Sequence, residues 1–483
     1  MSRINTNVSS MLAQRVLGQQ SASLQTSLQR LSTGLRINRG ADDPAGLIAA
    51  QNLGAEKAAI SAAISNAQRA DQVVNIAEGG LTQVSDLLTS LESLVDSSAN
   101  DAGLAAEEKQ ANQLQIDSIL QTIDRISNST SFQGIKLLNG TYAYTTSGVD
   151  STELSEIVVN GAKVPNGGAL GVTIDVTTSA QLGTVFVSAG TGNLISGTSL
   201  TLEVAGNKGI QQFSFASGTT AAQIVSAVNS FSGATGVSAT ASTTYLKFNS
   251  TEFGSSQYVS VKKVAGDTAY DTAINTTGAA GGSDDIKDFG RDASVLINGQ
   301  NASADGLNAS VSSGSLDLSI TLAAAQNTDG ATSTFSITGG GATFSLSPKV
   351  DLAGKSSLGI DAVTTGRLGS SANGYISSLA SGGANNVQDG DVDTAQAIVR
   401  DAIKKVSALR GRLGAFQKNT ITATVNSLGV ALENTSAAQS SIQDTDFAAQ
   451  TADLTRSQIL VSAATNVLRM ANSQPQSVLQ LLQ

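Results

Sequence analysis

Eight apolar residues, Ala70, Val74, Ala77, Leu81, Val84, Leu88, Leu91 and Val95, follow one another at alternating steps of four and three without a break. An α-helix gathers such a series onto one face. Ile60, Ile64 and Ala67 lead into it, so the spacing predicts a helix from about Lys57 to Ser98, roughly 60 Å long at about 1.5 Å per residue. A stripe of that length is a rod, and other helices of similar reach have to cover it. Asn100 to Gly103 is a turn signal, after which Ile116, Ile119, Ile123 and Ile126 supply a helix that folds back on the rod. The string FQGIKLLNGTY holds a Gly and an Asn139-Gly140 pair among β-forming residues, which predicts a hairpin closing it.

Both ends of the chain show helical seams of their own. Ile4, Val8, Met11, Leu12 and Val16 precede Leu24, Leu28, Leu31 and Leu35, the last four at steps of four, three and four. Gly34 and Gly40 can stop that helix, and Asp43 with Pro44 starts the next, an N-cap acceptor followed by a ring that needs no hydrogen bond. Helical periodicity returns at Asp391. Val399, Ile403, Val406, Leu413 and Phe416 form one stripe, and Ile421, Val425, Leu428 and Leu432 continue it with the register shifted. No proline falls between Pro348 and Pro475 to break these helices. Asp446, in the cluster Asp444-Thr445-Asp446, is placed to cap a last helix bearing Leu454, Val461, Ala464, Leu468 and Ala471. A lone helix with one exposed stripe is marginal in water, and the last seam is the mate the first one needs.

Between the two helical ends the character changes to Gly, Ser, Thr and Ala with short alternating runs. Val172, Ile174 and Val176 alternate, as do Leu200, Leu202 and Val204, then Phe213 and Phe215, then Leu316, Leu318, Ile320 and Leu322. These read as half-buried strands, with turns at Asn160-Gly161 and Asn298-Gly299 and one helix at about Thr220 to Phe231. The fold class predicted is α+β, elongated and discontinuous: N- and C-terminal antiparallel helices forming a coiled-coil rod, with a β-rich insertion. The expected domains are 1–42 with 445–483 as a terminal coiled coil, 43–143 with 392–444 as a helical rod with a β-hairpin, and 144–391 as the insertion. Two lobes are expected within the insertion, joined near Gly278 to Ser283.

Composition removes most chemistry. Among 483 residues there is no His, no Cys and no Trp, which eliminates the commonest metal ligand, the usual general base and every thiolate or disulfide. No cofactor or metal is expected. A net charge of -10 with 28 Lys and Arg spread thinly argues against a nucleic-acid backbone binder. MSRINTNVSS has no continuous apolar core of a signal peptide, and no later stretch approaches a bilayer span, so neither classical secretion nor membrane insertion is expected. Asp42-Asp43 as paired catalytic carboxylates competes poorly with the capping role of Asp43. Asp284-Asp285 and Asp444 with Asp446 match no EF-hand loop and read as solvated loop or cap. Gly339-Gly340-Gly341 lacks the GK[ST] of a phosphate loop. Asn249 and Asn308 begin Asn-x-Ser/Thr strings that a Ser/Thr/Asn-rich chain produces by chance.

SLQRLSTGLRINRG, followed at once by ADDPAGLIAA, closely resembles the N-terminal region of bacterial flagellin, and GRLGAFQKNT, NSLGVALENTSAAQSSIQDTDFAAQTADLTRSQIL and QPQSVLQLLQ resemble its C-terminal region. TAAQIVSAVNSFSGATGVSATAS is similar to an insert module of flagellins and hook-associated proteins. The resemblance implies a structural, non-enzymatic subunit that polymerises through its terminal helices into an extracellular filament for motility. It implies partners as well: further copies of the chain, an export chaperone, the flagellar type III export apparatus, and the hook-associated and filament-cap proteins. It implies terminal helices that order on assembly, with Leu24, Leu28, Leu31, Leu35, Leu454, Val461 and Leu468 as the assembly seam, and Gly34, Asp43, Pro44 and Asp446 as caps and hinges.

The chain departs from one family pattern. Flagellins sensed by the vertebrate Toll-like receptor usually carry a stretch resembling LQRVRELAVQSAN, where this chain has LLTSLESLVDSSAN. Ser90 and Glu92 stand at the arginine positions, Leu94 is retained, and Gln115 matches a glutamate of the neighbouring helix, so weak receptor signalling is expected. Two alternatives are a hook-filament junction protein, related in its termini but not polymerising extensively, and a flagellin with an enzymatic insertion. Lack of His excludes an HExxH peptidase from the second, and no carboxylate-hydrolase motif is visible.

Overall fold

The computed structural model describes residues 6–100, 103–165, 168–188, 199–242, 245–266, 272–273 and 285–481. Its helices are α1 (Val8–Thr33), α2 (Pro44–Ser98), α3 (Ala106–Ser129), α4 (Ala221–Ser230), the single turn α5 (Ser232–Thr235), α6 (Val392–Ala415), α7 (Ala423–Gln443) and α8 (Phe447–Leu481). The chain divides into two compact units, Met1–Asp71 with Ser345–Gly354 and Phe416–Gln483, and Gln72–Phe344 with Lys355–Ala415. Terminal helices thus flank a β-rich middle, the α+β class expected.

In the first unit α1 lies antiparallel to α8, and the start of α2 lies antiparallel to α7. Ile60 and Ala63 of α2 form a small core with Leu428, against which Ile64, Ala431 and Leu432 are partly buried. Asp71 accepts a hydrogen bond from the Gln417 side-chain amide at 2.8 Å. The long helix begins at Pro44, so the residues before Lys57 belong to it and no break separates them from the rod.

In the second unit the apolar series on α2 is fully used, with Val74, Ala77, Leu81, Val84, Leu88, Leu91 and Val95 all buried. Ile116, Leu120 and Ile123 of α3, and Val399, Ala402, Val406, Leu409 and Leu413 of α6, are buried too. Glu78 pairs with Arg410 at 2.9 Å and Glu92 with Arg400 at 3.0 Å, an antiparallel register of α2 against α6. Gly80 stands within α2 for a packing reason: a Cβ there would stand 2.7 Å from the Thr130 hydroxyl and 2.8 Å from Leu138, so glycine lets the chain after α3 lie against the helix. The hairpin pairs Ser131–Phe132 with Ile135–Lys136. Its turn is Gln133-Gly134, at positive φ of 51° and 83°, and not Asn139-Gly140. Asn139 instead accepts from the N–H and hydroxyl of Thr141.

The register shift read from the sequence has a structural cause. Residues Phe416–Thr422 form a π-helix between α6 and α7. Leu413 and Ile421 are buried eight residues apart, one more than a heptad, and the wider turn absorbs the extra residue.

Among the described residues the strands of the insertion that surround its two separate cores pair antiparallel. One core lies between a five-stranded sheet containing Leu170–Thr178, Ser294–Ile297 and Thr332–Gly339 and a four-stranded sheet containing Leu154–Ala162, Asn308–Ser312 and Leu316–Leu322. The other gathers Thr184–Ser188, Val237–Ala241 and Tyr245–Ser250 from one sheet, Leu200–Gly206, Ile210–Phe215 and Tyr258–Ala265 from a second, and the apolar face of α4. The second lobe is inserted in the first, and the chain crosses where Gln181 and Arg291 bridge. Residues 274–284, which hold the expected join, lie outside the described residues. The Asn298-Gly299 turn is present, with φ of 50° and 76°. Asn160-Gly161 is no turn: both residues lie within Leu154–Ala162, where the pairing skips from Leu318↔Val159 to Asp317↔Gly161 and leaves Asn160 as a bulge.

Candidate assembly surface

Every step of the α1 seam alternates between three and four residues: Ser10, Ala13, Leu17, Gln20, Leu24, Ser27 and Leu31 are buried or half-buried. On α8 the matching series is Gln450, Leu454, Ser457, Val461, Ala464, Leu468 and Ala471. Side chains fix the register. The Asn7 amide donates to Ala471 O at 2.7 Å, Ser10 Oγ donates to Asn472 Oδ1 at 2.7 Å, and the Ser23 and Ser457 hydroxyls meet at 3.5 Å. From Ser10 with Asn472 to Ser23 with Ser457 the number on α1 rises by 13 while that on α8 falls by 15, which is an antiparallel coiled-coil seam.

The loops beyond these helices fasten the seam. Gly34, with φ of 73°, is the left-handed C-cap of α1, its N–H donating to Arg30 O. Leu35 pairs as a bridge with Asp444, the Thr445 N–H donates to Gly34 O at 2.9 Å, and the Arg36 N–H donates to Gln443 O at 2.7 Å. The Arg36 guanidinium adds a bond to Ile442 O at 2.6 Å. Asp43 accepts from the Gly46 N–H at 2.9 Å and Pro44 is the first residue of α2, while Asp446 accepts from the Ala448 and Ala449 N–H groups at 2.9 and 3.2 Å. The Asp42 carboxylate accepts from the Arg39 and Asn38 N–H groups, and those bonds hold its pKa below the usual carboxylate value.

Two residues assigned to the seam from the sequence do not lie on it. Leu28 sits one residue past buried Ser27, turned about 100° round the helix, and is 48% exposed. Leu35 lies past the cap, outside the helix. Leu24, Leu31, Leu454, Val461 and Leu468 are half-buried on the facing sides. Ser10, Ser27 and Ser457 were missed because a hydropathy stripe does not mark small polar residues. Their spacing was the available signal.

Many large apolar side chains of the pair point away from this seam. Val8, Met11, Leu12, Val16 and Leu28 of α1, and Phe447, Ile459, Leu460, Val467 and Met470 of α8, are exposed, Val8 at 68% and Met470 at 71%. The register sets Val8, Met11 and Leu12 alongside Val467 and Met470, at one end of the pair. Each such side chain contributes about 1.5–3 kcal/mol when fully covered. Exposed apolar side chains gathered at one end of a helix pair mark an interface.

The four residues compared with the receptor-sensed stretch, Ser90, Glu92, Leu94 and Gln115, lie in the second unit. Ser90 and Gln115 are exposed, Leu94 is half-buried, and the Glu92 carboxylate is held by Arg400. Asp284 and the Asp285 side chain lie outside the described residues. Among the described residues no three acidic side chains cluster to hold a metal, and no helix is long and apolar enough to cross a membrane.

Comparison with known proteins agrees with this architecture. Residues 4–143 match the bacterial flagellin N-terminal helical region, 396–482 the C-terminal helical region, and 199–252 the flagellin hook IN motif, which holds α4 and the strands beside it. Flagellin D of Vibrio anguillarum is 28% identical over 99% of each chain, and polar flagellin C of Vibrio parahaemolyticus is 28% identical over 99% of each chain. Flagellin A of Vibrio cholerae serotype O1 is 29% identical, again over 99% of each chain. With both terminal helical regions matched and relatives aligned from end to end, the chain belongs to the bacterial flagellins.

Proposed function

We propose that this flagellin, a structural subunit of the bacterial flagellar filament, assembles through the outer faces of α1 and α8, while the seam between them holds the pair together. The observation that carries this reading is that large apolar side chains, among them Val8, Met11, Leu12, Val467 and Met470, stay exposed outside a seam that already holds Leu and Val beside Ser, Ala and Gln. Residues 1–42 and 445–483 then form the filament core, 43–143 and 392–444 the layer around it, and 144–391 the outward region. Ordering the termini costs about 1–2 kcal/mol per residue in backbone entropy, so they order fully as neighbouring copies cover them. Before assembly the chain passes through the flagellar export apparatus with a chaperone on its exposed apolar termini, and the filament's cap and hook-associated proteins meet the same helices at its ends. We assign no catalytic role.

The test is growth on sheared filament seeds, followed by sedimentation and electron microscopy. Intact protein is expected to grow long filaments, and protein lacking residues 1–42 and 445–483 is expected to stay in the supernatant. Intact protein that remains monomeric on seeds points instead to a junction protein.

A further inference from the structure

In an Asn-Gly pair the side-chain amide is open to attack by the chain's own backbone, because glycine has no Cβ to keep its nitrogen away from the preceding side chain. The chain has such pairs at Asn139, Asn160, Asn166, Asn298 and Asn373, of which Asn166 lies outside the described residues. Three of the other four have the amide nitrogen engaged. Asn160 donates Nδ2 to Asp317 Oδ1 at 2.9 Å from within a strand, and Asn373 donates Nδ2 to Asp401 Oδ2 at 2.7 Å. Asn298 clasps the neighbouring strand by both ends of its amide, with Oδ1 accepting from the Thr173 N–H at 2.8 Å and Nδ2 donating to Gly171 O at 3.4 Å.

Asn139 is arranged differently. Its Oδ1 accepts from the Thr141 N–H at 3.1 Å and from the Thr141 hydroxyl at 2.7 Å. A bond from the N–H two residues on closes an Asx turn, which folds the side-chain carbonyl over the peptide between Asn139 and Gly140. Among the described residues nothing pairs with Asn139 Nδ2 or with the Gly140 N–H. The turn is anchored beside them: Leu138 is buried, and its carbonyl accepts from Ser127 Oγ at 2.7 Å and from the Val363 N–H at 2.8 Å. The shape is therefore held while the reacting groups stay free. Two donors already face the oxygen on which negative charge gathers when the carbonyl is attacked, the arrangement that stabilises such an intermediate.

We propose that Asn139 is a self-modification site, deamidating through a succinimide while the other three described Asn-Gly pairs are held back. The Gly140 nitrogen gives its proton to a solvent base and bonds to Asn139 Cγ, the Cγ–Nδ2 bond breaks, and ammonia leaves. Water then opens the ring. Opening at the side-chain carbonyl gives an aspartate, and opening at the main-chain carbonyl gives an iso-aspartyl link with the chain routed through Cγ. The net change is water in and ammonia out, with no oxidant or reductant, and it places a new carboxylate next to buried Leu138.

The test is to keep the full chain folded in mildly alkaline buffer, sample it over days, digest it and follow each Asn-Gly peptide by mass spectrometry. The Asn139 peptide is expected to gain the mass of oxygen exchanged for NH about tenfold faster than the peptides holding Asn160, Asn298 or Asn373, a ratio of the size one hydrogen bond sets. In urea the four rates are expected to converge. Asn139 reacting no faster than another of these pairs in the folded protein overturns the proposal. So does an equal lead for Asn139 in urea, which assigns the selection to local sequence and not to the fold. Thr141 is exposed, so Thr141→Val removes the hydroxyl donor without disturbing packing. That variant is expected to slow the reaction at Asn139 several-fold, with Thr141→Ser keeping the unsubstituted rate. An unchanged rate in Thr141→Val overturns the stabilising role given to the hydroxyl.

Discussion

Asp446 illustrates how much a single capping carboxylate decides here. It accepts from two N–H groups in the first turn of α8, which satisfies donors that a helix start otherwise leaves open. Asp446→Ala is expected to lose about 1 kcal/mol at that helix end, read as roughly fivefold faster amide exchange at Ala448 and Ala449. Unchanged exchange there means that the bonds do not hold the turn. Capping residues were legible from the sequence because Asp before Pro, or in a polar cluster before an apolar run, has a local mechanism. The ion pairs were not, since Glu92 meets Arg400 only after the fold has brought distant segments together. That pair bears on the receptor patch: an acidic residue engaged by Arg400 stands where sensed flagellins carry arginine. We predict weak signalling in a Toll-like receptor reporter cell, with a gain on restoring Ser90→Arg, Glu92→Arg and Gln115→Glu together. A response to the unsubstituted protein as strong as to a motif-bearing flagellin contradicts this.

At the scale of elements, the π-helix is the clearest case of a sequence irregularity made structural. Apolar spacing alone announced that the stripe changes register after Phe416, but not how the backbone would absorb it. Seven π-helical residues do so, with the Thr422 hydroxyl donating to the Gln417 carbonyl at 3.0 Å, five residues back. If the one surplus residue is the cause, deleting exposed Lys418 restores the alternating three and four spacing from α6 into α7. The deletion is expected to leave stability unchanged or raised, with slower amide exchange over 416–422. Deleting Lys404, within the regular part of α6, is expected to destabilise by several kcal/mol, because it turns buried Val406, Leu409 and Leu413 out of their packing. Equal losses from the two deletions, in denaturant unfolding, contradict the account. The strands were legible wherever alternation was strict, as from Leu316 to Leu322. Asn160-Gly161 was misread because an Asn-Gly pair signals a turn and a strand bulge alike, and only the partner strand distinguishes them.

Taken as a whole, the molecule joins segments that lie far apart in the chain, as when Asn7 bonds to Ala471. Discontinuity was legible, because two helical ends flank a middle with strand alternation. The nesting of one β-lobe inside another was not, since it depends on pairings such as Gln181 with Arg291 that carry no local signature. Nor was the division of labour between the two faces of the terminal helices. The sequence stripe mixed residues of both faces, and only burial separates Leu24 and Leu31 from Leu28. The most direct test of the assembly surface is therefore to place charge on its outer face while sparing the seam. Leu12→Asp with Val467→Asp is expected to leave the second unit intact by amide exchange and to abolish growth on filament seeds. Leu114→Asp, an equally exposed apolar position on α3, is expected to grow at the unsubstituted rate. Growth of the Leu12→Asp, Val467→Asp protein at that same rate would contradict the account.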